Sequence, residues 1–261
     1  MGRKLEVLPF VVTLGSVILF ILPTLALIFS SSPIAILRSL VDIEFLKSLK
    51  VSFLCAFLSS FLILLFGTPF AYLLARNKIP FSKLLETLSE IPAGIPHSVA
   101  GIALLYLFGN LTIPGRILNL LGVNFSNSYL GIILAMVFVS APFFVIPVRE
   151  SFSRIPDKYE KISHSLGRGK IFTFFKVLVP MARHEIIKGF SLSFGRALSE
   201  FGAIMIVAYF PMTATVFIYE KLESMGIRVA LPYALIMLLI SGGIFTVLKL
   251  IPEKHVKDRK S

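Results

Sequence analysis

Long uncharged runs of apolar residues alternate with short segments that carry most of the charged side chains. A helix needs about 20 mostly apolar residues to cross a bilayer. Backbone polar groups find no partner in lipid, so the runs are expected to be helices. The first run is longer than the hydrophobic region of a cleaved signal peptide, and we expect it to be retained. The pattern predicts an all-α integral membrane protein with six spans, at residues 7–29, 51–75, 92–110, 129–148, 187–210 and 229–250.

The composition supports a membrane protein and excludes several other classes. Hydrophobic residues make up 56% of the 261 positions, charged residues 15%, and the mean hydropathy is +0.88. Soluble domains have ~45–50% apolar and ~25% charged residues, and disordered chains are less hydrophobic still. The single cysteine excludes an internal disulfide framework and a cysteine-based zinc site.

The net charge of +12 is concentrated in alternate loops, so it does not indicate nucleic-acid binding. The N-terminus, the second and fourth loops and the C-terminal tail together hold 18 Lys and Arg residues, whereas the opposite loops hold six. Basic loops favour the cytoplasmic side. We therefore expect a multi-pass protein of the cell membrane with both termini in the cytoplasm. Without an internal repeat or linker, residues 1–261 are predicted to form one transmembrane domain.

The longest loop between predicted spans, residues 149–186, contains two predicted helical segments. A Pro-Asp pair predicts the start of a short helix over about 157–166. Gly167 is placed to end that helix in the left-handed conformation. An amphipathic helix is expected from about Lys170, and Pro180 is expected to interrupt it.

The spacing within this loop resembles a family motif. Gly167, nine further residues and then Val177-Leu178-Val179-Pro180 resemble the E-A-A-x-x-x-G-x9-I-x-L-P loop of ABC-type importer permeases. Lys161-Ile162-Ser163 occupies the E-A-A triplet, and Glu160 stands one position early. The resemblance implies a coupling helix that docks in a cleft of a cytoplasmic ATPase. The alternative is a basic interfacial helix held by lipid alone. Candidate coupling residues are Glu160, Lys161, Ile162, Ser163, Leu166, Gly167 and Pro180.

A second resemblance narrows the family to importer permeases for molybdate, tungstate and sulfate. The segment Gly195–Ala203 reads GRALSEFGA, with Ser199 where Gly is usual, and residues 213–226 are similar to a segment that recurs in that group. The archaeal-type molybdate/tungstate permeases are the most similar group. The resemblance implies a type I importer bundle that translocates a tetrahedral oxyanion by alternating access. Its implied partners are a second copy of the chain, two cytoplasmic ATPase subunits and an extracytoplasmic oxyanion-binding protein.

Two features inside the predicted spans are open to more than one interpretation. Arg196 and Glu200 stand four residues apart, and charged groups at membrane depth usually pair or face water. They form either a structural pair or, with Ser199, part of the translocation path. Small residues at 191, 195, 199 and 203 would permit close helix contact or line a pore. Two prolines and a glycine within Ile91–Ser98 indicate either a broken helix or an ordinary helix entry.

No catalytic, metal-binding or cofactor-binding residue is expected in this chain. Gly167-Arg168-Gly169-Lys170 lacks the spacing of a phosphate-binding loop, so ATP hydrolysis is assigned to a separate subunit. A sulfate-type permease remains an alternative. A multi-pass membrane enzyme would need clustered polar groups at one membrane face. An ion-coupled carrier would favour several intramembrane carboxylates, of which only Glu200 qualifies.

Overall fold

The protein is helical throughout the described part of a computed structural model, which covers residues 2–109 and 111–249. No β-strand occurs within these ranges. Position 110 and the tail residues Lys254, Lys257, Arg259 and Lys260, used above to predict spans and orientation, lie outside them, as does position 250. The helices are α1 (Gly2–Ser30), α2 (Pro33–Leu40), α3 (Ile43–Ala75), α4 (Ser82–Gly94), α5 (His97–Phe108), α6 (Ile113–Leu120), α7 (Tyr129–Arg154), α8 (Lys158–Ser165), α9 (Lys170–Thr173), α10 (Val179–Leu198), α11 (Gly202–Val207), α12 (Ala214–Met225) and α13 (Ile227–Lys249).

Three helices in the described ranges are long and apolar enough to cross a membrane by themselves: α3, α7 and the Ile227–Ile244 part of α13. Two further pairs qualify only as bent spans, namely Ile21–Ser30 with α2, at 85°, and α4 with α5, at 118°. The structure therefore supports three to five spans by length and composition, and the predicted six are not confirmed. The 118° bend lies at the Pro-Gly segment, so the broken-helix interpretation of that segment is the correct one.

The chain over the predicted fifth span is divided. Helix α10 ends at Leu198, and α11 begins only at Gly202. The four-residue spacing of Arg196 and Glu200 suggested that they share one face of a continuous helix, but only Arg196 lies in α10. The predicted stripe of small residues is likewise interrupted after position 195. At the break, the Glu200 carboxylate accepts from the Ala203 N–H in the first turn of α11.

Pro180 does not interrupt the helix that precedes it, which corrects the sequence-based expectation. A π-helical turn at Phe174–Leu178 joins α9 to α10, and the Val179 N–H bonds to the Phe174 carbonyl, five residues back. A proline inside an α-helix removes one hydrogen bond and its ring clashes with the carbonyl four residues earlier. In the π-helical turn, N–H groups bond to carbonyls five residues back instead of four, and this change comes directly before Pro180. Helical structure therefore runs on from α9 into α10.

The chain forms two compact units. The first unit comprises the described residues up to Lys47 together with Phe217–Ile240. Three rings pack within it, since Phe45 lies 4.9 Å from Tyr233 and 5.6 Å from Phe217 between centroids. The Tyr233 hydroxyl donates to Asp42 at 2.6 Å. This hydrogen bond ties the start of α3 to α13.

The second unit comprises Ser48–Val216 and the described residues from Ser241 onward. Its core lies between α3, α7 and α10. Helix α7 approaches α10 closely at Gly189, where an added Cβ would lie 3.1 Å from the Phe144 ring and 3.2 Å from Val148. Small residues at such contacts allow membrane helices to pack tightly. The buried cluster contains Ile63, Ala71, Leu74, Phe144, Val145, Val148, Phe152, Ile155, Leu178, Ala182 and Ile186.

Candidate coupling site and charged clusters

Helix α8 forms where the sequence places the short helix of the longest loop. Gly167 has a φ of +75°, the left-handed conformation predicted for it. The Gly167 N–H bonds to the His164 carbonyl at 2.9 Å, and the Arg168 N–H bonds to the Ser163 carbonyl at 3.1 Å. This pair of bonds is the Schellman motif, which satisfies carbonyls that a helix end leaves free. The prediction of a helix ended by a left-handed glycine is confirmed.

Helix α8 is attached to α9 by two buried hydroxyls. Ser163 and Thr173 lie 2.7 Å apart through their Oγ atoms. The Thr173 hydroxyl also lies within hydrogen-bond distance of the Gly169 carbonyl, at 3.0 Å. Ser163, placed in the motif's triplet by the sequence, thus faces the protein interior. Its contact holds the two short helices together.

Glu160 also faces inward, where three donors from the end of α3 and the loop after it surround its carboxylate. Arg76 Nε donates to Oε1 at 2.7 Å, and Lys78 Nζ donates to Oε2 at 2.7 Å. The Tyr72 hydroxyl donates to Oε2 at 3.1 Å. Only 11% of the Glu160 side chain is exposed. We call these residues, with Asp157, the Glu160 cluster.

Arg76 contacts three successive points at the start of α8. Besides Glu160, its Nη1 pairs with Asp157 at 3.1 Å, and its Nη2 donates to the Ile155 carbonyl at 2.9 Å. The Arg76 side chain is 8% exposed. A planar guanidinium presents several donors in fixed directions, so one side chain can fix the approach of the whole segment.

The environment of the Glu160 cluster shifts two pKa values. Burial raises the pKa of Glu160, but hydrogen bonds from Lys78, Arg76 and Tyr72 lower it by more than burial raises it. The pKa of Glu160 therefore lies below the ordinary glutamate value. Burial lowers the pKa of Lys78, yet its bonds to Glu160 and Tyr72 raise it above the ordinary lysine value overall. Both shifts favour the charged forms. Glu160 and Lys78 are therefore both charged at neutral pH.

The opposite side of α8 is exposed and partly apolar. Ile162 is 54% exposed and Leu166 is 73% exposed. Because they stand four residues apart, they lie next to each other on one helix face. Lys161 is exposed as well. This apolar surface with a basic neighbour is available to a partner, whereas Glu160 and Ser163 are not.

A second charged cluster lies at the break between α10 and α11. Glu200 is 1% exposed and accepts from Arg196 Nη2 at 2.7 Å. His97, at the start of α5, lies 2.8 Å from the same Arg196 atom and 3.6 Å from Glu200. Arg196 Nη1 also donates to the Ser199 hydroxyl at 3.3 Å. These four residues form the Glu200 cluster, to which His97 contributes from a different helix, α5.

Glu200 also organises the backbone around it. Its Oε1 accepts from the Ala203 N–H at 2.8 Å, which caps the first turn of α11. Its carbonyl accepts from the Thr215 hydroxyl at 2.8 Å, at the start of α12. Its side chain and carbonyl together connect α10, α11 and α12. Such connections are those of a residue that fixes local structure.

Sequence reasoning did not identify five of the residues in these clusters as site residues. Arg76 and Lys78 were counted only toward orientation, Asp157 was taken only as a helix start, Tyr72 was not singled out, and His97 was not assigned to the charged pair. Their role depends on tertiary contacts more than 80 positions apart in sequence. A basic residue directly after an apolar run was the one signal that could have indicated Arg76. Among the described residues, no group of three His, Cys, Asp or Glu side chains is placed to hold a metal ion.

Comparison with known proteins identifies the family. Residues 67–254 match the family described as the binding-protein-dependent transport system inner membrane component, and this range contains both charged clusters. The chain belongs to this family. It is therefore a permease subunit, a transport component of a membrane importer. The resemblance inferred from the spacing of Gly167 and Pro180 is confirmed.

Relatives and solved structures agree with this assignment. The chain is 36% identical over 95% of its length to the molybdate/tungstate transport system permease protein of Pyrococcus abyssi, and covers 97% of that protein. It is 30% identical over 92% of its length to a probable sulfate transport system permease protein of Zygnema circumcarinatum, covering 86% of it. A crystal structure of a bacterial alginate ABC transporter with its substrate-bound periplasmic protein contains a chain with a TM-score of 0.70. That chain has 17% identity, and the match covers 94% of this chain and 93% of that one. This similarity shows the permease fold.

Proposed function

We propose that the permease moves molybdate or tungstate across the cell membrane into the cytoplasm. The observation that carries this proposal is the 36% identity to a molybdate/tungstate permease over 95% of the chain. The lower identity to a sulfate permease, 30%, makes sulfate the second candidate. The three anions are tetrahedral and divalent, so a separate binding protein is expected to make most of the selection.

The energy for transport comes, in this proposal, from ATP hydrolysis on separate cytoplasmic subunits. Two copies of the chain would enclose the pathway between them, each contacting one ATPase, and an extracytoplasmic binding protein would deliver the anion. The excess of basic residues in alternate loops supports an orientation with both termini in the cytoplasm. ATP-driven closure would switch the pathway between two states, as alternating access requires.

Helix α8 is the proposed contact with the ATPase. Its exposed side presents Ile162 and Leu166, and burying such apolar side chains in a partner's cleft is favourable. Helix α8 belongs to the proposed cytoplasmic side, where an ATPase would lie. The basic residues Lys158, Lys161 and Arg168 add charge that an acidic cleft or an anionic membrane surface would attract.

The Glu200 cluster is proposed to be structural. Arg196 is neutralised by Glu200, so the pair offers little net attraction for a divalent anion. Glu200 accepts hydrogen bonds from the Arg196 side chain in α10, the Ala203 N–H in α11 and the Thr215 hydroxyl in α12. These contacts favour a role in fixing the break between α10 and α11 over a role as an anion site.

The substrate is tested by uptake in cells that lack their own molybdate and sulfate importers. The chain is expressed with its cognate ATPase and binding protein, and accumulation of molybdate, tungstate and sulfate is measured. We expect uptake of molybdate or tungstate that requires the chain. Uptake of sulfate alone would instead assign the second candidate. Accumulation that persists without the ATPase would contradict an ABC importer and favour an ion-coupled carrier.

A further inference from the structure

The inner side of α8 is connected to α3 by side chains that are distant in sequence. Arg76 directly follows α3 and Lys78 lies two residues later, whereas Asp157 and Glu160 lie at the start of α8. We infer that Arg76 and Glu160 are positioning residues that make α8 and the C-terminal end of α3 move as one body. The inference rests on the proposed coupling function of α8 and deepens it.

The geometry of the Glu160 cluster restricts relative motion of the two segments. Arg76 contacts Ile155, Asp157 and Glu160 at 2.7–3.1 Å, and both carboxylate oxygens of Glu160 are bound by donors from the other segment. Charge-assisted bonds of this kind are about twice as strong as neutral ones. Sliding or rotation of α8 against α3 would break several of them at once. The low exposure of Arg76 and Glu160 limits replacement of these bonds by water.

Helix α8 cannot maintain its position without such contacts. It contains eight residues, and isolated helices of this length are not stable in water. The Schellman motif and the Ser163–Thr173 contact connect it to α9 on its C-terminal side. The Glu160 cluster supplies the corresponding connection on its N-terminal side. A force applied to the exposed face of α8 therefore reaches both α3 and α10, the latter through α9 and the π-helical turn.

The same contacts argue against a direct role for Glu160 in binding a partner. Its carboxylate already accepts from Arg76, Lys78 and Tyr72, and the side chain is 11% exposed. A cation on another subunit would have to displace one of these donors. Glu160 thus acts through Arg76 on the position of α8, while Ile162 and Leu166 remain free to contact the partner.

The test uses the complete complex of permease, ATPase and binding protein in liposomes. Glu160→Gln keeps the shape of the side chain but removes its charge, and Arg76→Lys keeps the charge but loses the fork of donors. The matched control is Arg154→Gln, because Arg154 is 80% exposed and its ion pair with Glu150 is long, at 3.5 Å. Molybdate transported per ATP hydrolysed is measured for each complex.

We expect both variants of the Glu160 cluster to assemble and hydrolyse ATP but to transport roughly 5-fold less anion per ATP, the lower range of an allosteric coupling. The Arg154→Gln complex should match the wild type. An unchanged ratio in assembled Glu160→Gln and Arg76→Lys complexes would overturn the inference. A wild-type complex without anion-dependent ATP hydrolysis would instead contradict the proposed function itself.

A further variant separates positioning from folding. If Glu160→Gln lowers assembly, the double variant Arg76→Gln/Glu160→Gln should recover it, because removing both partners leaves no uncompensated charge between them. The inference requires that the recovered complex still transports less anion per ATP. Recovery of both assembly and the transport ratio, or loss of assembly in every variant, would assign the cluster to folding alone.

Discussion

Two buried carboxylates, Glu160 and Glu200, are each stabilised by an arginine and by further donors, but they lie in different surroundings. Glu160 lies outside the predicted spans and pairs with Arg76 and Lys78, which follow α3. Glu200 is 1% exposed and caps a helix at a break within a predicted span. A buried charge is costly unless it is paired and hydrogen-bonded. The two sites should therefore respond differently to the loss of a partner.

Glu160 should contribute to the pH dependence of stability. Its pKa is lowered in the folded protein, so its stabilising contribution is complete above the unfolded value of ~4.3. That contribution is lost as the pH falls through the lower folded pKa. Wild type should therefore be more thermostable than Glu160→Gln near neutral pH, with a difference that shrinks at acidic pH. Thermal unfolding of the detergent-solubilised protein measures this. Glu150→Gln, at a half-exposed position, is the control and should show no such convergence.

Arg196 and Glu200 should behave as a coupled pair. Removing one partner of a buried ion pair costs roughly 3–5 kcal/mol, whereas replacing both can be near neutral. Arg196→Met and Glu200→Gln should each reduce the amount of assembled transporter, and the double variant should partly restore it. Glu200→Gln retains an acceptor for the Ala203 N–H, so its defect should be the smaller. Quantifying assembled complex and uptake for all four forms provides the double-mutant cycle.

The opposite pattern would reverse the assignment of this pair. If Arg196→Met assembled fully but lost uptake, without recovery in the double variant, the arginine would belong to the translocation path. His97 offers an independent comparison, because it contacts Arg196 from α5 and is 40% exposed. A structural cluster predicts that His97→Gln lowers stability less than either charged variant.

At the scale of elements, α8 and its glycine end could be predicted because the signals are local. A Pro-Asp start, a left-handed glycine and a fixed distance to a proline are all read within one segment. The effect of Pro180 was predicted wrongly, since a π-helical turn can accommodate a proline that an α-helix cannot. The end of α10 was also missed. The residues at this end contact distant parts of the chain, since Arg196 contacts His97 and Thr215 donates to the Glu200 carbonyl, and no periodicity reveals such contacts.

The exposed face of α8 should be required for ATPase binding. Ile162→Asp places a charge on the apolar surface that would enter the ATPase cleft, where burial of an unpaired charge is costly. Ser153→Asp is the matched control, because it adds the same carboxylate at an exposed position of α7, outside the proposed docking face. We expect Ile162→Asp to abolish copurification of the ATPase while the unfolding temperature of the permease stays unchanged. Equal copurification of the two variants would contradict docking through this face.

At the scale of the whole molecule, orientation is open to a direct test. Lys83, at the start of α4, belongs to a segment predicted to be cytoplasmic, and Arg228, at the start of α13, belongs to one predicted to be outside. Both side chains are exposed. The native Cys55 is buried, so single cysteines at the two positions can be compared. In intact cells, a membrane-impermeant thiol reagent should label Arg228→Cys and spare Lys83→Cys. The reverse labelling pattern would place the termini outside.

The number of spans could be predicted only approximately from apolar runs. Counting runs gives six, because it treats residues 187–210 as one continuous helix and straightens every bend. The structure instead ends α10 at Leu198 and bends α4 against α5 by 118°. The length of an apolar run shows how much apolar sequence is present, but not where a helix ends within it, as α10 does just before Glu200. The family could nevertheless be identified, because its motif lies in a loop whose local geometry is predictable.

Because a π-helical turn at Phe174–Leu178 lies between Gly167 and Pro180, the number of residues in this interval sets how α8 is rotated relative to α10. An α-helix rotates about 100° per residue around its axis. One extra residue held in the wide turn therefore rotates α8 and α9 relative to α10. A variant lacking one residue of this turn would keep nearly the same reach. In that variant, α8 would be rotated and would present different side chains to the proposed ATPase. The interval thus fixes the rotational orientation of the proposed ATPase-contacting face of α8 relative to α10.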